Sequence, residues 1–280
     1  MKILTFILEL LDTRINAPKM LGGFHILWLF ITAIATILLC RYFREERYID
    51  KVVFITSVTA IVLEVYKQIN YTFSVQDGVI VADYQWYAFP FQFCSMPMYV
   101  GLLASLLKKG RVKNALYAFL GTYGLFAGLC VMIYPNDVFC SILGINIQTM
   151  ICHGSMVTIG IYLLYSGRVK PAHKTALKAM AVFAIAVGTA AILNELAFLV
   201  GIVPTETFNM FFISPHCEPS LPVYSLVQAV VPFPFCLIIY ILAFSLAAYI
   251  ILLVSMLIKK TFSKKQSITY TEKELLNSNK

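Results

Sequence analysis

The chain has 280 residues, of which 60% are hydrophobic and only 13% are charged, and its mean hydropathy is +0.80. A water-soluble domain needs a largely polar surface, so this composition excludes an ordinary soluble protein and predicts one embedded in lipid. The formal charge of +8 does not predict a nucleic-acid partner, because the basic residues concentrate in clusters at the ends of the apolar segments.

The first 20 residues, MKILTFILELLDTRINAPKM, carry an apolar stripe that Glu9, Asp12 and Arg14 interrupt. This stretch is too short and too polar to cross a hydrocarbon core, and it predicts a helix that lies in the membrane interface. A cleaved signal peptide is the alternative, although Glu9 would interrupt its apolar region and no A-x-A site follows.

Seven apolar runs follow. Each has about the 20 residues that a helix needs to cross a bilayer, or more. They are continuously apolar where barrel strands would alternate, so the predicted fold class is all-α, a polytopic membrane helix bundle. The predicted spans are residues 22–41, 52–71, 89–107, 114–134, 142–166, 176–202 and 229–258. Together they form one transmembrane domain, residues 21–260, followed by a polar tail, residues 261–280. A G-x-x-x-G motif at Gly124 and Gly128 would let another helix approach the fourth span closely.

The positions of Lys and Arg predict the orientation in the membrane. With seven spans, all the basic clusters fall on one side: residues 41–51, 108–113, 168–178 and 259–265. The opposite connections, residues 72–88, 135–141 and 203–228, contain no Lys or Arg. The positive-inside rule therefore places the N-terminus outside and the tail in the cytoplasm, as in a multi-pass protein of the cell membrane.

Several polar side chains that are costly in hydrocarbon share one predicted depth. Counting about 1.5 Å per residue from the basic clusters places five of them roughly 20–25 Å from the inner surface. These five are His25, Glu64, Cys94, His153 and Glu195, and their polar neighbours are Lys67, Gln92, Gln148 and Asn194. Such groups usually face the bundle interior, which predicts a polar site in the outer half of the membrane. In the alternative interpretation, Glu64 and Lys67 neutralise each other and the amides only join helices.

Cys94 is the candidate nucleophile of this polar layer. Pro90 suits the first position of a helix, which would place Cys94 just beyond the first turn, where the helix dipole favours a thiolate. His153 at matching depth would be the general base, and Glu64 or Glu195 would orient it. Cys94 as a small buried hydrophobe is one competing interpretation. A zinc site made of His25, His153 and a Glu is another, although no H-E-x-x-H spacing supports it, and we predict neither a metal nor a cofactor.

The last outer connection departs from a plain loop. The stretch FFISPHCEPSLPVYSLVQAVVPFPF holds five prolines together with His216 and Glu218. Because it is so hydrophobic, we predict a re-entrant segment or a lid over the bundle. The seven cysteines contain no C-x-x-C pair and do not predict a disulfide framework. Cys140 and Cys217 lie in outer segments, however, and would pair in an oxidising environment.

Short motifs surround the candidate residues: GGFHILW at His25, FPFQFCSMPMYVG at Cys94, CHGSMVTIGIYLL at His153, and FFISPHCEPSLP followed by VPFPFCLIIY. Their order resembles the YwaF-type bacterial membrane proteins, the family that includes the vertebrate transmembrane protein 164, over most of residues 20–260. The resemblance implies that Cys94 and His153 match the cysteine and histidine of a proposed acyltransferase site in the vertebrate member, which moves fatty acyl chains between phospholipids.

The leading hypothesis is a thiol-dependent lipid acyltransferase or acyl hydrolase, with membrane lipids as both solvent and substrate. Cys94 would attack an acyl ester, His153 would act as general base, and Gln92 or Asn194 would donate to the oxyanion. One alternative is a transporter or binding protein for a small molecule or ion, in which the polar layer is a midplane site. The other is a structural or assembly factor with no site of its own.

Overall fold

The computed structural model describes residues 2–201, 203–204, 206–218 and 222–278, and it is mostly helical. The helices are α1 (Lys2–Leu11), α2 (Gly23–Tyr42), α3 (Glu46–Asn70), α4 (Met96–Leu106), α5 (Arg111–Phe119), α6 (Leu125–Ile133), α7 (Leu143–Tyr165), α8 (His173–Val200), α9 (Pro222–Gln228) and α10 (Phe233–Ser278). Helices α5 and α6 are joined without a break by a π-helical turn, Leu120–Gly124. Short 3₁₀ turns lie at Trp86–Ala88, Phe93–Ser95 and Met210–Phe212.

Five helices in the described ranges are long and apolar enough to cross a membrane. They are Gly23–Tyr42, Arg111–Ile133, Leu143–Tyr165, His173–Val200 and Phe233–Thr261. This set confirms the prediction of a multi-pass helical protein. The two remaining predicted spans correspond to α3, which is not in this set, and to the shorter apolar helix Phe93–Leu106. The number seven therefore stays a prediction.

A β-hairpin lies between α3 and α4, where the sequence predicted only a connection. Strand β1 (Phe73–Gln76) pairs antiparallel with β2 (Val79–Ala82). Asp77 and Gly78 join the strands with φ values of 50° and 76°, as a two-residue turn with left-handed backbone requires. We call the side of the bundle that carries this hairpin the hairpin side, and the opposite side, which carries the Lys and Arg clusters, the basic side.

Helix α7 packs against α2, α3 and α6. It approaches α6 closely at Gly128, where an added Cβ would lie 2.8 Å from both the backbone carbonyl oxygen of His153 and the Cβ of Met156. Gly124, by contrast, has its nearest neighbour at 3.7 Å. The predicted close helix approach is thus confirmed at Gly128, and it fixes the part of α7 that carries His153.

Candidate functional site

A cavity of about 430 Å³ lies between α3, α4, the π-helical turn and α7. It reaches from Tyr71 and Asp137 on the hairpin side to Val53 and Ile159 near the basic side. The lining residues from α3 and its C-terminal end recur every three or four positions, so they lie on one face of the helix. They are Val53, Thr56, Ser57, Ala60, Glu64, Lys67 and Tyr71. At about 1.5 Å per residue this face extends over about 27 Å.

The two ends of the cavity differ in polarity. The half towards the hairpin side holds the ionisable and amide groups: Glu64, Lys67, Gln92, Cys94, Gln148, Cys152 and His153. The half towards the basic side is mostly apolar, with Val53, Ala60, Leu120, Met156 and Ile159. A cavity that is polar at one end and apolar at the other is complementary to an amphipathic molecule.

A neutralised carboxylate occupies the polar half. The Oε1 atom of Glu64 accepts from Lys67 Nζ at 2.8 Å and from Gln68 Nε2 at 2.7 Å, so the predicted mutual neutralisation of Glu64 and Lys67 takes place. Tyr84 donates its hydroxyl to Gln68 Oε1 at 2.6 Å. Burial raises the pKa of Tyr84, so this hydroxyl stays protonated and remains a donor. Gln148 Nε2 lies 3.5 Å from Glu64 Oε2, a contact too long to hold the amide firmly.

His153 presents an unused basic nitrogen in this polar half. Its Nδ1 atom lies 2.8 Å from the backbone carbonyl oxygen of Thr149, and a carbonyl only accepts, so Nδ1 carries the proton. The Nε2 atom is then a bare acceptor; it is buried and has no hydrogen-bond partner. The residue as a whole is 8% exposed. A buried acceptor without a protein partner is uncommon, which makes this nitrogen a candidate functional group of the cavity.

Cys94 lines the same cavity, but its local structure differs from the prediction. Pro90 does not begin a helix; Cys94 lies in the 3₁₀ turn Phe93–Ser95, and α4 starts at Met96 with Pro97 in its first turn. The reason is that Pro97, not Pro90, occupies the first turn of the helix, where a backbone N–H would have no partner within the helix and its absence costs nothing. Cys94 therefore precedes α4. Since His153 Nε2 has no partner, no hydrogen bond joins it to the Cys94 thiol. The two residues line the same cavity.

A comparison with known families decides the classification. Residues 20–255 match the model of the TMEM164 family. The chain belongs to the TMEM164 family. The family predicted from the motifs around His25, Cys94 and His153 is thereby confirmed. No curated protein and no solved structure matches the chain.

His25 lies outside the cavity of this TMEM164 family member. Its Nδ1 atom accepts from the Leu21 backbone N–H at 3.0 Å, and Nε2 lies 2.9 Å from the Met132 carbonyl oxygen. Both ring nitrogens are thus used to join the start of α2 to the end of α6, and neither is left for a metal. Nowhere in the described ranges do three His, Cys, Asp or Glu side chains come close enough to hold a metal ion, so the competing zinc hypothesis has no support.

Gln92 and Asn194 both bind the backbone of the last outer connection. Gln92 accepts from the Phe211 N–H at 2.8 Å and donates to the Asn209 carbonyl oxygen at 2.9 Å. Asn194 does the same with both backbone groups of Met210, at 2.8 and 3.1 Å. Each amide therefore uses its oxygen and one of its two N–H donors on backbone, and the suggestion that either donates to an oxyanion stays a prediction.

These two amides anchor the last outer connection inside the bundle. Met210, Phe211 and Ile213 are fully buried, and the Phe211 carbonyl oxygen accepts from the Tyr240 hydroxyl at 3.0 Å. Phe211 and Phe212 have φ values of 59° and 58°, a left-handed conformation that is costly for aromatic residues and that the surrounding contacts must maintain. The segment therefore enters the helix bundle, as the re-entrant alternative of the sequence analysis supposed.

Glu195 is separated from the cavity residues and cannot orient His153. Its carboxylate oxygens both lie 3.1 Å from His216 Nε2, and the His216 ring stacks on Phe198 with centroids 3.6 Å apart. Glu218 is exposed. His216 thus fastens the lid candidate to α8, since Glu195 and Phe198 both belong to that helix.

No disulfide joins two cysteines in the described part of the chain. Cys140 and Cys217 do not pair; their sulfur atoms lie near the carbonyl oxygens of Ile142 and Phe208. Cys152, which the sequence analysis does not single out, lines the cavity, and its sulfur lies 3.5 Å from Gln148 Nε2. The spacing of Gln148 and Cys152, four residues apart on one helix, is the signal that places both on the same face.

Proposed function

We propose that this TMEM164 family member is a lipid acyltransferase or acyl hydrolase that uses Cys94 as nucleophile and His153 as general base. The observation that carries the proposal is the bare, buried Nε2 atom of His153 in a cavity that Cys94 also lines. A thiol nucleophile needs a base that accepts its proton, and a neutral imidazole with a free nitrogen supplies one.

The shape of the cavity supports an acyl lipid as substrate. An acyl chain would lie along the apolar half, between Val53 and Ile159, and its ester group would then reach the polar half. Burial of the chain provides binding energy at positions remote from the reacting carbonyl. The same burial limits the access of water, which favours transfer to a lipid hydroxyl over hydrolysis.

The reaction would proceed in two balanced steps. The Cys94 thiol gives its proton to His153 Nε2, the sulfur attacks the ester carbonyl, and the C–O bond breaks. The released alkoxide takes the proton from Nε2, which leaves an alcohol and a thioester on Cys94. In the second step a lipid hydroxyl or water gives its proton to Nε2 and attacks the thioester. The C–S bond breaks, and the leaving thiolate takes the proton back from Nε2, which restores the thiol.

Substrate binding must bring the thiol and the imidazole together, since catalytic contacts are often looser in a free enzyme. Gln148 is the best oxyanion donor among the cavity residues, because its amide nitrogen makes only 3.5 Å contacts with Glu64 and Cys152. The Lys67 ammonium, paired with Glu64 at 2.8 Å, lines the same half of the cavity.

We further propose seven membrane crossings in the cell membrane, with the N-terminus outside and the C-terminus in the cytoplasm. Helix α3 has 25 residues, about 37 Å of helix, and the extended residues 89–92 lengthen the short apolar helix Phe93–Leu106 towards the hairpin side. In intact cells, a membrane-impermeant maleimide should label a cysteine placed at Val79 and not one placed at Lys109. Labelling of the Lys109 position alone would reverse the orientation.

The catalytic proposal is tested with purified protein in proteoliposomes that contain a phospholipid with an isotope-labelled acyl chain and a lysophospholipid acceptor. Cys94→Ser and His153→Ala should each lower the transfer rate by about 10²-fold or more. Cys130→Ser, which changes a thiol outside the cavity, is the matched control and should keep the rate. Unchanged transfer in both cavity variants would contradict the proposal.

A further inference from the structure

A second pocket lies on the basic side of the bundle, away from the acyl cavity. It encloses about 340 Å³ between the start of α3, the connection before α5 and the connection after α7. Four cationic side chains line it, namely Arg47, Lys109, Lys113 and Arg168, together with the acidic side chains Glu46 and Asp50. These charges leave an excess of two positive charges in a concave site.

Lys113 gives this pocket a buried ammonium group. The residue is 4% exposed, and its Nζ atom donates to Asp50 Oδ2 at 2.5 Å and to the Leu107 carbonyl oxygen at 2.9 Å. Tyr117, which is also fully buried, donates its hydroxyl to the other oxygen of Asp50. An ammonium group has three N–H donors, so one donor of Lys113 remains for a further acceptor.

Arg168 is fixed in place but lacks a negative partner. Its guanidinium carbon lies 4.6 Å from the centre of the Tyr117 ring, and Nη1 donates to Asn114 Oδ1 at 2.9 Å. No carboxylate in the described part of the chain forms an ion pair with it. The ring and the amide therefore hold the guanidinium in one orientation while most of its five N–H donors stay available.

The other cations of the pocket already have carboxylate partners. Lys109 Nζ lies 2.8 Å from Glu46, and this hydrogen bond is the main reason why the pKa of Glu46 lies below its usual value. Arg47 pairs with Glu45 at 2.8 Å. Arg168 is thus the pocket cation whose charge stays uncompensated, and the buried Lys113 donor lines the same space.

We propose that this pocket binds a phosphate group, with the Arg168 guanidinium as its principal ligand and Lys113 as a second donor. A guanidinium fork matches two phosphate oxygens, and preorganisation by Tyr117 and Asn114 reduces the entropy lost on binding. Basic pockets at the cytoplasmic ends of membrane helices commonly hold anionic head groups. The phosphate could belong to an anionic phospholipid of the adjacent leaflet or to a free phosphate. This site does not depend on the proposed acyl transfer.

The test uses the full-length protein in a neutral detergent. We would titrate phosphatidylglycerol in one arm and inorganic phosphate in the other, at constant ionic strength, and measure Kd from the shift of the thermal unfolding midpoint. Arg168→Gln should raise the Kd about tenfold. Arg111→Gln removes the same charge from the same side but does not line the pocket, and it should change Kd by less than about twofold. Arg168→Lys keeps the charge but loses the fork, and it should bind with intermediate affinity.

The two arms separate the sources of the phosphate group, since tighter binding of phosphatidylglycerol assigns a lipid head group and tighter binding of inorganic phosphate assigns a soluble ligand. Equal losses in Arg168→Gln and Arg111→Gln would overturn the proposal in favour of a diffuse basic surface. The absence of saturable binding of both probes to the unmodified protein would also overturn it. If Arg168→Gln fails to fold, a Kd of Arg168→Lys equal to that of the unmodified protein would overturn the proposal.

Discussion

The Nδ1 atom of His153 lies 2.8 Å from the backbone carbonyl oxygen of Thr149, one helical turn earlier on α7. This contact assigns the proton to Nδ1 and leaves Nε2 as the basic nitrogen in the cavity. Because a backbone atom is the partner, the helix itself sets the tautomer. The side chain of Thr149 has no part in it.

We therefore expect Thr149→Val to keep acyl transfer within a few-fold of the wild-type rate, whereas His153→Gln should lower it by about 10²-fold or more. The measurement is the initial rate of labelled acyl transfer in proteoliposomes, with the amount of folded protein checked by gel filtration. A loss in Thr149→Val as large as that in His153→Gln would show that the backbone contact is not what prepares the imidazole.

Gln92 and Asn194 together hold the backbone of residues 209–211 inside the bundle. Gln92→Leu or Asn194→Leu should each lower the free energy of unfolding by about 1–3 kcal/mol, because buried backbone groups lose their partners. The double variant should lower the free energy of unfolding by less than the sum of the two single losses, since both amides hold one segment. Thermal unfolding in detergent measures the effect, and Gln76→Ala in the exposed hairpin is the control. A neutral result for both single variants would mean that the segment does not need these anchors.

Gly128 should tolerate no side chain. A Cβ at this position would lie 2.8 Å from the His153 carbonyl oxygen and from Met156 Cβ, so Gly128→Ala would push α6 and α7 apart at the level of His153. We expect a destabilisation of about 1–3 kcal/mol together with reduced acyl transfer.

Gly188 is the matched control for this prediction. It also lies within a helix, α8, but an added Cβ would meet nothing within 4 Å. Gly188→Ala should therefore be neutral or stabilise the protein by up to about 1 kcal/mol. Thermal unfolding of the two variants measures the contrast, and equal midpoints would refute the importance of the close approach at Gly128.

The Asp50–Lys113 pair should respond asymmetrically to substitution. Asp50→Asn leaves the buried Lys113 ammonium without a counter-charge and should lower the free energy of unfolding by about 3 kcal/mol. Lys113→Met should cost less, because the Asp50 side chain is 49% exposed and water can solvate its charge. Chemical or thermal unfolding measures both values, and a larger loss in Lys113→Met would contradict this order.

The length and apolarity of the spans were predictable from the sequence because a bilayer demands about 20 apolar residues in each crossing. The span predicted at 142–166 appears as α7, Leu143–Tyr165, and the one predicted at 176–202 appears as α8, His173–Val200. The β-hairpin was not predicted, although the Asp77–Gly78 dipeptide between two apolar stretches was its local signal. The start of α4 was misplaced because two prolines, Pro90 and Pro97, offered the same local cue.

The sequence by itself determined the helical, multi-pass character of the protein and its family. The common depth of the polar residues stays a prediction from hydropathy and helical rise. Depth does not fix the direction in which each side chain points around its helix. Only the packing of α3, α4 and α7 brought Glu64, Cys94, Gln148 and His153 to one cavity, and it turned His25 and Glu195 to other partners. Rotation and contact between helices depend on interlocking side chains that are distant in sequence, and for that reason the tertiary structure alone decided the membership of the site.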